Sequence, residues 1–167
     1  AKVLKDIKFP LEFDAFELCT PELQNKLCPM REKFKEAEDK KLETQIKATN
    51  REQHTAAIEA GSSDVAKIDA EPYWFGEDLG SNNSGYYNLQ AVLTHKGRSS
   101  SSGHYVAWVR HNADTWFKFD DDVVSSVTTD EILRLSGGGD WHCAYVLLYG
   151  PKLLPKTAVQ DSPAANV

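Results

Sequence analysis

The residues of this chain best placed to do chemistry are a histidine near the start of one alternating segment and a carboxylate sixteen residues later. They are His104, in Gly103-His-Tyr-Val-Ala-Trp-Val-Arg110, and Asp120, closing Thr115-Trp-Phe-Lys-Phe-Asp120. Both segments alternate as strands do. The three residues between them, His111, Asn112 and Ala113, match a common hairpin length. In that register Arg110 faces Asp114, Trp108 faces Trp116, Val106 faces Lys118 and His104 faces Asp120. Directly opposed side chains share a face and lie about 5 Å apart at Cβ. A carboxylate there accepts from one imidazole nitrogen and leaves the other to take a proton from a thiol or hydroxyl. A slip of one residue would pair His104 with Asp121 instead, so Asp121 stands as a candidate beside the pair. The same arrangement also occurs as a plain polar pair with no chemistry attached. Tyr105, Ala107, Val109, Phe117 and Phe119 fall on the opposite face, where a core is expected.

Other elements must hold that hairpin in place. Gly85 to His95 alternates as a strand, and a run of Lys, Gly, Arg and Ser joins it to His104. Asp121 to Val127 is a further strand. Thr128-Thr-Asp-Glu131 is a capping box opening a helix that carries Ile132, Leu133 and Leu135. Gly137, Gly138 and Gly139 end that helix. Cys143 to Tyr149 is the last strand, ended by Pro151. Nearer the start, the segment through Phe16 reads as a strand and its approach. Thr20 can cap a short helix from Pro21 to Cys28, and Pro29 opens a second one running to about Lys47. The middle of that second helix is charged and reads as a solvated face. The expected organisation is therefore strand and helices over 1–43, a mobile insertion at 44–70, the His/Asp-bearing half at 71–151 and a disordered tail at 152–167. The fold class is α+β, a mainly antiparallel sheet with short helices.

The chain has 167 residues, 41% of them hydrophobic, enough for a modest core. A net charge of −6 argues against nucleic acid as a partner and suits a basic protein surface. No apolar run reaches membrane-spanning length, and no signal peptide opens the chain. The three cysteines, Cys19, Cys28 and Cys143, are not spaced as metal ligands and suggest reduced thiols. No metal and no cofactor are expected. Cys19 lies near a helix start, a setting that favours thiolates, but Leu18 and Leu23 beside it suggest ordinary packing. Cys28 reads as core with Leu23 and Leu27, and Cys143 as buried in its strand. His54 and His111 read as solvated loop residues, His95 as structural, and His142 has no partner that the sequence names.

Tyr87, Leu89, Ala91, Val92, His95 and Gly97, a five-residue spacer, and then Gly103-His104-Tyr105 resemble the histidine box of the ubiquitin-specific proteases, a family of cysteine deubiquitinases. Trp116, Phe119, Asp120 and Asp121 resemble the family's next block, and Tyr145 to Tyr149 its closing strand. Lys8-Phe9-Pro10 and Asp14 resemble its Phe-Pro strand, with Phe13 in place of the usual Leu. Glu17 to Gln24, Gly80 to Asn83, Arg98 to Ser102 and Leu135 to His142 are most similar to the proteasome-associated branch. The resemblance implies a papain-like domain in which a Cys thiolate attacks the carbonyl after ubiquitin's C-terminal glycine. His104 would be the general base, Asp120 its orienting carboxylate, and Asp121 a second carboxylate behind them. The loop of Arg98, Ser99, Ser100, Ser101, Ser102 and Gly103 would overhang the channel for ubiquitin's tail. Ubiquitin and ubiquitinated proteins are the implied partners, with the proteasome through a domain outside this chain. The implied compartment is the cytoplasm, with the nucleus as a second one. Nothing here resembles the family's Cys block, so the chain corresponds to the C-terminal portion of such a domain and is expected to be inert alone. The rival readings are a catalytically inactive ubiquitin-binding module and a scaffold whose His–Asp pair is incidental.

Overall fold

A computed structural model describes residues 5–49, 69–99, 102–137 and 141–156 of the chain. Expectations for 50–68, for Ser100, Ser101, Gly138 and Gly139, for His54, and for the tail past Lys156 lie outside the described residues. The described residues form two compact units, one from those within 1–15 and 86–152 and the other from those within 16–85 and 153–167.

The first unit is built on a six-stranded sheet in which every pairing is antiparallel. Its strands are β1 (Glu12–Asp14), β2 (Tyr86–Ser99), β3 (Ser102–Arg110), β4 (Thr115–Asp120), β5 (Val123–Thr128) and β6 (Cys143–Pro151). They run in the order β1-β2-β3-β4-β5, with β6 also on β2. The long β2 is therefore the central support, holding β3 directly and β4 through β3. One face of the sheet buries Leu89, Val92, Val106, Trp108, Trp116 and Ala144, with Phe9, Leu11, Leu147 and Tyr149 packed around them. A one-turn helix, α2 (Thr129–Leu133), supplies Ile132 to the same core, and the turn after it supplies Leu135. The capping box expected from Thr128 and Glu131 starts this helix: the Glu131 carboxylate accepts from the Thr128 backbone N–H at 2.9 Å. Trp116 Nε1 donates to Thr129 Oγ1 at 3.2 Å, tying β4 to the helix start.

The core lies on the face opposite to the expected one. Val106, Trp108 and Trp116 are inside, while Tyr105, Val109 and Phe119 are 39–47% exposed. Alternation separates the two faces of a strand but does not say which one is covered. Here α2 and Leu135 cover the tryptophan face, where the larger apolar area gains most from burial.

The β3–β4 register also differs, by two residues. Trp108 pairs with Lys118 and Arg110 with Trp116, so five residues, the loop His111–Asp114 and then Thr115, lie between the last paired positions where three were expected. Asn112 explains the longer connection, because its Oδ1 accepts from the N–H groups of both Asp114 and Thr115 and builds a side-chain turn. A shift of two residues preserves the face of every side chain.

In the second unit, α1 (Pro21–Thr49) is one continuous helix through Pro29, not two. Thr20 stands at its N-cap, 3.4 Å from the Leu23 N–H. An internal Pro costs a helix about 3 kcal/mol. Burial of Leu27 before it and Phe34 after it, seven residues apart on one stripe, offsets that cost. Arg31 on the same stripe donates to Ser84 O at 3.1 Å and lies over the Phe16 ring. Cys28 is exposed, since the next position round the helix from Leu27 turns away from that stripe. The boundary expected at residue 44 falls inside α1. The start of the expected tail is also placed: Ala70 bridges Pro155, and Lys156 pairs with Asp69 at 2.7 Å.

Ile132 is fully buried between strands and helix. Ile132→Ala should destabilise the fold by about 2–5 kcal/mol, read as a lowered urea midpoint of the tryptophan fluorescence transition at unchanged slope.

Candidate active site

Three strand ends converge at one rim of the first unit. Asp120 closes β4, His104 lies two residues inside β3, and Asp121 begins the two-residue turn into β5. Asp120 Oδ1 accepts from His104 Nε2 at 2.5 Å. The two are diagonal neighbours, because Ala107 pairs with Phe119 and the carboxylate reaches back along the strand. With Nε2 on the carboxylate, Nδ1 is the imidazole nitrogen left for a proton-transfer partner. The other carboxylate oxygen, Oδ2, is 2.6 Å from Lys118 Nζ. The lysine hydrogen bond first and the histidine second hold the Asp120 carboxyl down to about 2, below the ordinary 3.8. Asp120 therefore stays an acceptor across the range in which imidazoles titrate.

Asp121 takes φ 52, a left-handed conformation that a two-residue hairpin turn demands and that Asp tolerates. Its carboxylate, the His104 imidazole and the Asp120 carboxylate have donor atoms within 4.8 Å of one another. A cation already stands at this cluster, the Lys118 ammonium on Asp120.

The segment that launches His104 is tighter than expected. β2 runs to Ser99 and β3 begins at Ser102, with Ser99 paired to Ser102 beyond a bulge after Lys96. Arg98 and Ser102 are exposed and Ser99 is half-buried. The bulge depends on two glycines, Gly97 at φ 136 and Gly103 at φ 148. A Cβ on Gly103 would collide with His95 Nε2 and with the Lys96 carbonyl oxygen. His95 is buried, its ring 4.6 Å from that of Tyr105, so it forms the floor on which the start of β3 rests. That agrees with its expected structural role.

Beneath the site is a buried polar group that the sequence did not disclose. Thr94 Oγ1 accepts from Trp108 Nε1 at 3.0 Å, lies 3.2 Å from Val106 O and is 3.1 Å from His142 Nδ1. The hydroxyl carries one proton, and with it on the Val106 carbonyl, His142 donates from Nδ1 to the same oxygen. Burial, then the nearby Lys96 and Lys118 cations, push the His142 imidazole below its ordinary range and keep it neutral. The only sequence signal was a Thr alternating in register with Val92 on β2, and such a Thr is indistinguishable from an apolar filler. His142 lay beside a glycine run, with no periodicity to assign its face.

Among the thiols, Cys143 is the one in this unit. It is buried, with Sγ 3.7 Å from Ala144 O and against Gly137. Cys19 is half-buried and Cys28 exposed, both in the other unit.

Two outcomes follow from this geometry. Gly103→Ala should cost about 2 kcal/mol or more in denaturant stability, since the new methyl meets both backbone and a buried ring at a positive φ. The Asp120 carboxyl, followed by its side-chain 13C shift, should titrate near pH 2. A carboxyl depressed on folding contributes stability that is complete above its unfolded value near 4 and is lost as pH falls through the folded value. The His104–Asp120 tie should accordingly persist at pH 4 and fail towards pH 2.

A family profile described as ubiquitin carboxyl-terminal hydrolase matches residues 1–149. Ubiquitin carboxyl-terminal hydrolase 14 of Caenorhabditis elegans is 46% identical over 175 residues, covering 99% of this chain and 34% of the relative. Ubiquitin carboxyl-terminal hydrolase 6 of Schizosaccharomyces pombe is 42% identical over 165 residues, covering 91% of this chain and 34% of the relative. The Arabidopsis thaliana protein of the same name is 40% identical over 156 residues, covering 89% and 32%. The chain spans about a third of the length of the curated relatives it matches. An α+β antiparallel sheet presenting a paired histidine and aspartate, matched to one family along residues 1–149, places this chain in the ubiquitin carboxyl-terminal hydrolase family.

Proposed function

We propose that this chain is the general-base half of a thiol-dependent deubiquitinase, and that His104 and Asp120 are its catalytic pair. The observation that supports this most is the Asp120 Oδ1–His104 Nε2 contact of 2.5 Å, which leaves Nδ1 to face a nucleophile. In this reading Nδ1 takes the proton of a cysteine thiol supplied by the family's Cys block. The thiolate attacks the carbonyl carbon of ubiquitin's terminal glycine. As the tetrahedral intermediate collapses, the imidazolium returns its proton to the departing lysine amine, leaving a thioester. Water, deprotonated by the same nitrogen, then attacks the thioester, and the thiol is regenerated as the carboxylate leaves. Asp120 holds the ring orientation throughout and stabilises the imidazolium without accepting its proton. Asp121 adds negative potential behind the pair, and the segment Arg98 to Gly103 flanks the channel for ubiquitin's tail.

Ubiquitin and its conjugates are the partners in this reading. The 46% identity to hydrolase 14 of C. elegans supports the proteasome-associated branch, with the proteasome engaged through a domain outside this chain. The cytoplasm, and secondarily the nucleus, are the proposed compartments.

The decisive assay is release of a fluorophore from the C-terminus of ubiquitin. The chain alone should release none, and the chain fused to or co-expressed with a Cys-bearing segment of the family should turn over. In that pair His104→Ala should reduce kcat by about 10³-fold or more with ubiquitin binding retained, as loss of a triad base does. Asp120→Ala should be strongly impaired and Asp121→Ala less so. Turnover by the isolated chain that disappears on Cys19→Ser would overturn the assignment of an external nucleophile.

A further inference from the structure

We propose that Lys118 is a positioning residue of this site: its ammonium on Asp120 Oδ2 turns the carboxylate so that Oδ1 meets His104 Nε2. The inference rests on the reading of His104 and Asp120 as the catalytic pair. An aspartate has two equivalent oxygens and a broad torsion about its carboxylate. A single hydrogen bond to the imidazole leaves that torsion free to swing. A second donor on the other oxygen, 2.6 Å away, fixes the plane of the group.

Three features hold Lys118 to this task. Residues 118 and 120 are alternate positions of β4, so both side chains stand on one face. Lys118 is paired directly across the hairpin with Trp108, and its ammonium lies 5.6 Å from the centre of that ring. Trp108 is in turn buried and held by its N–H on Thr94 Oγ1. A line of contacts thus runs from the core hydroxyl through the indole, the lysine and the carboxylate to the imidazole. The lysine side chain is only 26% exposed, less than Asp120 at 30% or His104 at 42%, so the support is drier than the groups it supports. Among the described residues, the titratable groups that face Asp120 are His104 from β3, Lys118 from its own strand, Asp121 from the following turn and His142 from the segment before β6. Lys118 is the permanent cation among them and outranks His104 as a cause of the low carboxyl value.

The test compares Lys118→Met, which keeps the stem over Trp108 and removes the charge, with Lys118→Arg, which restores a cationic donor. In the 167-residue chain, the 13C titration of the Asp120 carboxyl should have its midpoint near 2 in the wild type and in Lys118→Arg. It should rise towards the ordinary 3.8 in Lys118→Met, with the tryptophan emission and urea midpoint confirming that the variant is folded. When the Cys-bearing segment is supplied, Lys118→Met should lower kcat about tenfold at unchanged KM, the scale expected for loosening an orienting contact, and Lys118→Arg should recover most of it. A folded Lys118→Met variant with an unmoved Asp120 midpoint, or with wild-type kcat, would overturn the inference. Absence of ubiquitin–fluorophore cleavage by the wild-type pair would instead remove the proposed function, while the carboxyl titration still decides whether Lys118 holds Asp120.

Discussion

The pleat of the β3–β4 hairpin is the constraint on which the site depends. Side chains on paired strands alternate with a period of two, so a slip of one residue would send His104 and Asp120 to opposite faces. A slip of two would keep them together but separate them along the strand. The observed pairing uses that second freedom. His104 and Asp120 are diagonal, and the carboxylate crosses the remaining gap with its own length to meet Nε2 at 2.5 Å. Asn112 sets the register from the far end of the hairpin by bracing a four-residue turn. A side-chain turn at one end therefore fixes which carboxylate comes within reach of the imidazole at the other.

The same pleat builds the support beneath. Two tryptophans on the covered face are each paired with a cation across the hairpin, Trp108 with Lys118 and Trp116 with Arg110. Each indole N–H also finds a hydroxyl, Thr94 for Trp108 and Thr129 for Trp116. A buried indole needs such a partner, because an unpaired N–H costs roughly 1–3 kcal/mol. The two rings are thereby fixed in rotation as well as position, and cations resting on them inherit a fixed place. Exposure rises steadily outwards, from Trp116 with none, through Lys118 and Asp120, to His104 at the rim.

Much of this was legible in the sequence, and what was not has physical causes. Alternation marked the strands of the hairpin, and Thr128 with Glu131 marked the start of α2, because both signals are local. The choice of covered face was not local: Tyr105, Val109 and Phe119 are apolar too, and the placement of α2 and Leu135 over the tryptophan surface decides between the faces. Pro29 likewise gave a sound local warning of a helix break, which the burial of Leu27 and Phe34 overrode. Cys28 has apolar neighbours in the sequence and is nonetheless exposed, since one step of 100° round the helix separates it from Leu27. His142 meets Thr94 across 48 positions, and no window along the chain contains both.

How Asp120 is kept ionised bears on how the site can work. A carboxylate sealed in apolar surroundings would be pushed upwards by desolvation and could share the proton of its histidine. Here the group is near the rim, and the two hydrogen bonds that lower it outrank the desolvation that raises it. Its hold on the imidazole is therefore one of direction more than of raw electrostatic strength, since at a partly solvated rim Coulomb attraction is screened. Direction has to be supplied by something rigid, and the pleated sheet with its tryptophan-backed lysine is the rigid element within reach. The glycines at 97 and 103 complete the same logic from the histidine side. By letting β3 settle onto the His95 ring without an intervening Cβ, they fix the backbone from which His104 projects, so that both members of the pair are aimed by backbone and core before any substrate arrives.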